Sequence, residues 1–152
     1  MNYWLMKSEP AEFGIDDLAA RRRQREPWDG VRNYQARNMM RDQMCRGDQA
    51  FFYHSNCPQP GIVGLMQIVV EGYPDDTAFD LDDKHYDPKS DPQNPRWFRV
   101  DVELVRPLNR TIGLAELREH SALMEMPLLR RGNRLSVMPV TATEWKYILR
   151  LE

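Results

Sequence analysis

The sequence is poor in the features that mark secreted, disulfide-linked or membrane-spanning proteins. It has only two cysteines, Cys45 and Cys57, which are too few for a disulfide framework and lack the companions of a CxxC metal knuckle, so we expect reduced thiols. No apolar run approaches the roughly twenty residues of a membrane helix. No basic segment followed by an apolar one indicates a secretory signal. We therefore expect a cytoplasmic protein that does not engage a membrane.

Motifs that would carry catalysis are also absent. The segment GIVG at 61–64 lacks the lysine or third glycine of a phosphate-binding loop, so a nucleotide cofactor loses support. His54, His85 and His120 lie far apart and form no metal-binding motif. No serine sits in a GxSxG elbow, and Cys57 is too close to His54 along the chain for a convincing dyad. We expect no cofactor, no metal and no catalytic residue.

Charge is distributed unevenly along the chain. The formal net charge of -2 argues against wholesale binding of polyanions. Residues 71–91 nevertheless carry a net charge of -6, whereas residues 92–152 carry +3. Of the 21 basic residues, 17 are arginine, whose planar side chain suits phosphates and bases, although genomic base composition is the stronger explanation for this enrichment.

The 152 residues, 41% of them hydrophobic, predict one domain spanning 1–152. Apolar and alternating segments predict strands at 3–7, 49–55, 61–72, 97–108 and 134–140. The second and third of these strands are expected to pair. Helices are predicted at 15–26, 34–46, 113–120, 121–131 and 141–152, with a short one after Pro74. The strands are too close together for βαβ crossovers throughout, so the pattern predicts an α+β fold, a small mixed barrel with peripheral helices.

Caps and core positions follow from the same patterns. Asn33 is a candidate cap for the helix that follows it, and either Thr141 or Thr143 is a candidate cap for the last helix. Within the first of these helices the methionines recur at helical spacing and are expected in the core: Met39, Met40 and Met44.

Aromatic, amide and hydroxyl groups form the remaining candidate site. A nucleobase needs apolar faces above and below it and polar groups at its edge. Trp4 and Phe52 lie on apolar strands and are expected in the core instead. Trp28 follows a proline at a turn, so a core role and a ligand role are equally supported. Lys7 closes an apolar strand and invites an anion or a fixed carboxylate, whereas Asn33 also has a capping role to fill.

Several ordered segments together resemble one known family. They are YWLMKSEP, WDGVRNYQARNMMRDQMCRGD, FFYHSN, GIVGLMQIV and HYDPKSDPQNPRWFRVDVELV. The chain resembles the EVE domain family from Tyr3 to about Leu151, and the departures lie in the arginine-rich segment 20–26.

The resemblance implies a PUA-like fold, a curved mixed β-barrel with peripheral helices. It also implies binding of RNA or DNA, with recognition of a modified base in an aromatic-lined pocket. Trp28 would form a wall, the backbone of Val31 and Arg32 would reach the base edge with Asn33, and other side chains would face or close the same cavity. The ligand-binding residues implied in this way are Lys7, Ser8, Trp28, Val31, Arg32, Asn33, Asn38, Tyr53, His54, Ser55, Tyr86 and Trp97.

Two classes of function remain open from the sequence. The first is a binding module that reads a modified nucleobase in DNA or RNA, with arginines around the mouth contacting phosphates. The second is an enzyme acting on a nucleobase or nucleic acid, for instance through His54 or Asp87 with Lys7, and a small-metabolite sensor would use the same pocket. The kind of modification and the choice between DNA and RNA stay open. The oligomeric state is also open, with a monomer favoured.

Overall fold

The structure is a computed structural model that describes residues 1–152. Its strands are β1 (Tyr3–Ser8), β2 (Arg25–Trp28), β3 (Gln49–His54), β4 (Gly61–Pro74), β5 (Phe98–Gly113) and β6 (Val137–Val140). Its α-helices are α1 (Pro10–Phe13), α2 (Ile15–Ala20), α3 (Tyr34–Asp42), α4 (Leu114–Leu117) and α5 (Ala142–Leu149). Short 3-10 turns lie at Arg22–Gln24, Asp76–Phe79, Ser121–Leu123 and Pro127–Leu129. None of these helices is both long and apolar enough to cross a bilayer.

The six strands form one mixed sheet in the order β2-β5-β4-β3-β1-β6. The pair β1 and β3 is parallel, and the other pairs are antiparallel. Each edge strand contains a proline, Pro27 in β2 and Pro139 in β6, which suits an edge because proline has no N–H to donate. The predicted α+β class is confirmed. The sheet is open between β2 and β6, so closure into a barrel is not observed.

Most predicted strands are present, including the antiparallel pair β3 and β4, but β2 differs from the prediction. The arginine-rich segment was expected to continue the helix of residues 15–26. Instead α2 ends at Ala20, and Arg23 and Gln24 adopt left-handed backbone angles with φ of 57° and 55°. Arg25 then pairs with β5, where its side chain donates to Glu103 at 2.6 Å. This strand forms because of a partner 78 residues away, which local sequence does not reveal.

The core consists of two hydrophobic clusters on the two faces of the sheet. Successive side chains of a strand point to opposite faces. Phe52 therefore packs with α2 and α3 in the first cluster, whereas Phe51 and Tyr53 pack with α5 in the second. The residues expected in the core, which are confirmed there, are Trp4, Met39, Met40, Met44 and Phe52.

Side-chain caps fix the starts of two helices. The Asn33 side-chain oxygen accepts from the Ala36 backbone N–H at 2.9 Å, which confirms the cap of α3. At α5 the cap is Thr141, whose hydroxyl accepts from the Glu144 backbone N–H while the Glu144 carboxylate accepts from the Thr141 N–H. The structure thus decides between the two threonines.

Replacing Thr141 by alanine is expected to lower the free energy of unfolding by about 1 kcal/mol, because the first turn of α5 loses its acceptor. The matched control is Thr143→Ala, which removes an exposed hydroxyl one residue inside the helix and should leave stability nearly unchanged. Urea denaturation followed by circular dichroism measures both. Equal losses in the two variants would show that the cap does not stabilise the helix.

Candidate functional site

An open cavity of about 680 Å³ lies beside the carboxyl end of β1. Its volume falls in the range of about 300 to 1,000 Å³ that small-molecule sites occupy. The lining residues come from β1, α1, β2, the loop after β2 and a turn of the long loop before β5, with one residue after α2 and one before β6. They are residues 7–8, 12–13, 21, 26–32, 82–85 and 136. We call this space the Trp28 cavity.

Backbone pairing assembles the wall at the end of β1. The Lys7 backbone N–H donates to the Ser136 carbonyl at 2.8 Å, so the residue that precedes β6 lies beside Lys7. The Ser8 hydroxyl donates to the Phe13 carbonyl at 2.6 Å and ties the end of α1 to the same strand. The Ser8 hydroxyl proton is therefore already used in a hydrogen bond within the protein.

Trp28 forms an apolar floor that is also part of the core. Its ring is 6% exposed and meets Phe52 edge-on at 5.3 Å and Phe13 edge-on at 6.4 Å between ring centroids. Edge-to-face contacts of this kind hold an aromatic ring in one orientation. The core role is therefore confirmed, and the residue also lines the cavity, where its ligand role stays a prediction.

Gly30 explains the tight turn that follows Trp28. Its φ is +77°, a left-handed conformation that glycine adopts without steric cost. A β-carbon at this position would lie 2.5 Å from Nε2 of His85, so the His85 ring occupies the space that any other side chain would need. The turn and the loop carrying His85 therefore fit together only with glycine at this position.

Asp75 fixes this turn from below. Its side chain is fully buried and accepts from the Gly30 N–H at 2.8 Å, from Arg32 at 3.0 Å, and from both the N–H and the hydroxyl of Thr77. Burial by itself raises the pKa of Asp75, but the hydrogen bonds from Thr77, Gly30 and Arg32 outweigh it and hold the pKa below its usual value. Arg32 also donates twice to the His85 carbonyl, so this guanidinium organises the wall of the cavity.

Most charges at the cavity rim neutralise one another. Arg21 is paired with Glu26, and Lys84 is paired with Glu12. Such exposed ion pairs contribute little to the stability of the fold, because water solvates both charges. Because they are balanced, the rim as a whole is not a strongly basic surface.

Lys7 and Asp29 are among the charged residues of the cavity that have no close partner of opposite charge. The Lys7 ammonium makes no ion pair or hydrogen bond and lies 5.8 Å from the centre of the Tyr53 ring, and burial lowers the pKa of Lys7. The Asp29 carboxylate comes no closer than 4.0 Å to its nearest cation, Arg99. Burial raises the pKa of Asp29, and the negative charge of Asp75 raises it further. Lys7 and Asp29 therefore both line the cavity, and neither side chain has a hydrogen bond to the protein.

Five of the twelve residues predicted to bind ligand line the Trp28 cavity: Lys7, Ser8, Trp28, Val31 and Arg32. The other seven lie outside it: Asn33, Asn38, Tyr53, His54, Ser55, Tyr86 and Trp97. These seven residues do not line the Trp28 cavity as expected, and their role in ligand binding stays a prediction.

The three residues from the end of β3 have structural partners elsewhere. Tyr53 is buried in the core cluster beside α5, because it points to the opposite face from Phe52. The His54 ring accepts from the Ile15 backbone N–H at 3.1 Å, at the start of α2. The Ser55 N–H donates to the Ser8 carbonyl and extends the pairing of β3 with β1.

The remaining four residues lie on or near α3 and in the long loop. Asn33 caps α3, and Asn38 is exposed on that helix, where its side chain accepts from Arg37. Trp97 is buried, stacks on Tyr34 and donates its indole N–H to Asp87 at 2.7 Å. Tyr86 follows His85 but does not line the cavity.

Some cavity residues were absent from the predicted set, chiefly Asp29, His85 and Ser136. Asp29 follows Trp28 in the turn that the sequence predicts, so its place next to a candidate ligand residue could have identified it. His85 is held by Arg32, 53 residues earlier, and Ser136 by the pairing of β1 with β6. No local sequence pattern indicates these two residues.

Comparisons with known proteins agree with the architecture. The model of the EVE domain family matches residues 2–151. Thymocyte nuclear protein 1 of Danio rerio is 52% identical over 166 residues, which cover 98% of this chain and 71% of that protein. A crystal structure of a Pseudomonas syringae protein is 50% identical, covers 98% of both chains and has a TM-score of 0.93.

One similar structure contains a ligand. It is the crystal structure of human THYN1 protein in complex with 5-methylcytosine containing DNA. The human chain is 48% identical to this protein and has a TM-score of 0.95. The match covers 97% of the human chain and 99% of this one.

The expectation of a cytoplasmic protein is wrong in the light of these relatives. The rat and human proteins are both named thymocyte nuclear protein 1, which indicates the nucleus. The expectation rested on the absence of a secretory signal and of a membrane span. Neither absence separates a cytoplasmic protein from a nuclear one.

Proposed function

The chain belongs to the EVE domain family, and from this premise we propose that it binds DNA carrying a modified cytosine, with one base extruded into the Trp28 cavity. The observation that carries the proposal is the open cavity of about 680 Å³ with an aromatic floor and two unsatisfied polar groups, Lys7 and Asp29. The complex of human THYN1 with 5-methylcytosine containing DNA supports this choice of ligand over RNA.

The cavity has the chemistry that an extruded base requires. Phe13, together with the small exposed parts of Trp28 and Val31, supplies apolar surface for a base and its methyl group, and the loop groups supply polar contacts for the edge. Extruding a base costs a few kcal/mol, which the contacts in the cavity must offset. Burying one methyl group contributes about 1 kcal/mol, so methylation should raise affinity roughly fivefold.

We propose binding without chemistry as the function of the cavity. The enzyme hypothesis paired His54 or Asp87 with Lys7. His54 accepts from the Ile15 N–H, and Asp87 accepts from the Trp97 indole, so both candidates are engaged outside the cavity. Lys7 has no titratable partner within hydrogen-bonding distance, whereas general acid-base catalysis needs such a positioned group.

We also propose that the chain is a single domain whose sheet curves as in PUA-like barrels. The shifts of register between β4 and β5 support curvature, because bulges bend a strand. Gly61 supports it as well, since a β-carbon there would lie 2.5 Å from the Ile112 carbonyl oxygen of the neighbouring strand. The two core clusters share this one sheet, which supports a single domain.

The proposal predicts tighter binding of DNA with 5-methylcytosine than of the same DNA with cytosine, by roughly fivefold. Fluorescence anisotropy with duplexes of one sequence at one salt concentration measures this ratio, and the RNA of that sequence tests the choice of nucleic acid. Lys7→Met should weaken binding to both duplexes by about tenfold, because a charged hydrogen-bond donor is lost.

Lys89→Met is the matched control, because it removes the same charge from an exposed loop position outside the cavity. It should leave affinity within about twofold of the wild type, since one exposed charge is largely screened by salt. Equal affinity of the wild type for methylated and plain DNA would refute the proposed function. Equal losses in the two lysine variants would place the DNA elsewhere on the surface.

A further inference from the structure

The proposed function does not by itself separate 5-methylcytosine from thymine, which carries the same methyl group. Resting on that function, we propose that Asp29 accepts a hydrogen bond from the exocyclic amino group of the bound base. Asp29 would thereby separate amino bases from keto bases. The inference assigns a specificity-determining role to one side chain of the Trp28 cavity.

The two bases differ in the polarity of a single position. Cytosine carries an N4 amino group, which donates, whereas thymine carries the O4 oxygen, which only accepts, and the C5-methyl group. An apolar contact to the methyl group holds 5-methylcytosine and thymine equally well. Discrimination therefore requires an acceptor fixed opposite this position.

Asp29 is the acid of the cavity that best meets this requirement. Glu12 and Glu26 are occupied by Lys84 and Arg21. Asp83 accepts from the His85 backbone N–H in its own turn. Asp82 also has no side-chain partner, but unlike Asp29 it does not adjoin the packed ring of Trp28 along the chain. The side chain of Asp29, 43% exposed, has no hydrogen-bond donor within reach, and its nearest cation is 4.0 Å away.

The position of Asp29 is also well fixed. It follows Trp28, whose ring is packed in the core, and precedes Gly30, whose N–H is bound by the buried Asp75. The Asp29 carboxylate accepts no hydrogen bond from the protein, and its nearest cation is 4.0 Å away, so no close partner offsets the burial that raises the pKa of Asp29. An amino group of a bound base would supply such a hydrogen bond.

Lys7 supplies the complementary group in the same cavity. Its ammonium has no hydrogen-bond acceptor in the protein and can donate to the ring nitrogen or the O2 oxygen of the base. The edge of cytosine carries the amino group and two acceptors, so a carboxylate and an ammonium from the lining can together satisfy it. Adenine also carries an amino group, so the carboxylate distinguishes amino bases from keto bases but does not distinguish cytosine from adenine. That second distinction depends on the size of the base and the walls of the cavity.

The test uses DNA in which one central base lies opposite an abasic site, so that base pairing does not bias extrusion. The wild type should bind 5-methylcytosine at least about tenfold more tightly than thymine, because a charge-assisted hydrogen bond is replaced by two opposed acceptors. In Asp29→Asn the amide can donate to O4, so the ratio should fall to within about threefold. Asp16→Asn removes an exposed acid that does not line the cavity and should keep the wild-type ratio.

A second measurement uses the wild-type protein alone and avoids any effect of substitution on folding. A base analogue, 5-methylpyrimidin-2-one, keeps the methyl group and lacks the amino group, so it should bind about tenfold more weakly than 5-methylcytosine. An unchanged ratio in Asp29→Asn, or full affinity for the analogue, overturns the role of Asp29. If the wild type binds methylated and plain cytosine with equal affinity, the proposed function is overturned instead.

Discussion

Asp75→Ala is expected to lower the free energy of unfolding by about 3 kcal/mol. The variant removes a fully buried carboxylate and leaves the Arg32 guanidinium, the Gly30 N–H and the Thr77 hydroxyl without their shared acceptor. Breaking a buried ion pair from one side is costly because the remaining charge stays desolvated, and Arg32 itself is partly exposed, which limits the loss. Chemical denaturation at neutral pH measures the difference.

The matched control is Asp76→Ala. Asp76 also pairs with an arginine, Arg99, but its side chain is 75% exposed, so the loss should stay below about 1 kcal/mol. The two adjacent variants therefore separate a structural carboxylate from a surface one. A loss as small in Asp75→Ala as in Asp76→Ala would mean that the turn after Trp28 is held by other contacts.

The effect of Asp75 also has a predictable pH dependence. The folded state holds the pKa of this group below its usual 3.8, so the unfolded chain takes up the proton first as the pH falls. The stabilisation is present at neutral pH and is lost as the pH drops through the folded pKa. The difference between the wild type and Asp75→Ala should therefore narrow below about pH 4.

Gly30→Ala is expected to lower the free energy of unfolding by about 2 to 4 kcal/mol. One part of the loss is the left-handed backbone, and the other is the collision of the new methyl group with the His85 ring. The displaced turn also carries Asp29, so the preference for 5-methylcytosine over thymine should weaken in the same variant. Thermal unfolding and the anisotropy titration measure these two effects on one sample.

Two further variants separate the contribution of the left-handed backbone from that of the collision with the His85 ring. Gly47 has a φ of +93° and no atom within 4 Å of its absent β-carbon, so Gly47→Ala should cost only the backbone term, about 1 to 2 kcal/mol. Removing the ring in the double variant Gly30→Ala, His85→Ala should bring the loss down to a similar value. If the double variant is no more stable than Gly30→Ala, the contact with His85 is not the cause.

Both predictions concern one structural unit that holds the Trp28 cavity open. Asp75 fixes Gly30 and Arg32, and Arg32 in turn holds the backbone of His85 against the glycine. The unit joins a turn near the start of the chain to an acidic loop about 50 residues later. The negative charge of residues 71–91 is therefore partly structural, because its most buried acid is hydrogen-bonded within the protein.

Patterns in the sequence were sufficient for elements that depend on neighbouring residues. The alternation of apolar residues located β5, the methionines at helical spacing located the buried face of α3, and Asn33 was correctly identified as its cap. These features follow from the periods of strands and helices and from the unpaired N–H groups at a helix start. The resemblance to the EVE domain family likewise came from ordered motifs along the whole chain.

Only the tertiary structure decided which residues share the cavity. A shift of one position along β3 sends Tyr53 into the opposite core from Phe52, although both are equally aromatic and adjacent in sequence. The strand β2, the place of His85 beside Gly30 and the place of Ser136 beside Lys7 all depend on partners dozens of residues away. Such pairings are determined by packing and by the hydrogen bonding of buried polar groups across the sheet. The residues adjacent in sequence do not indicate them.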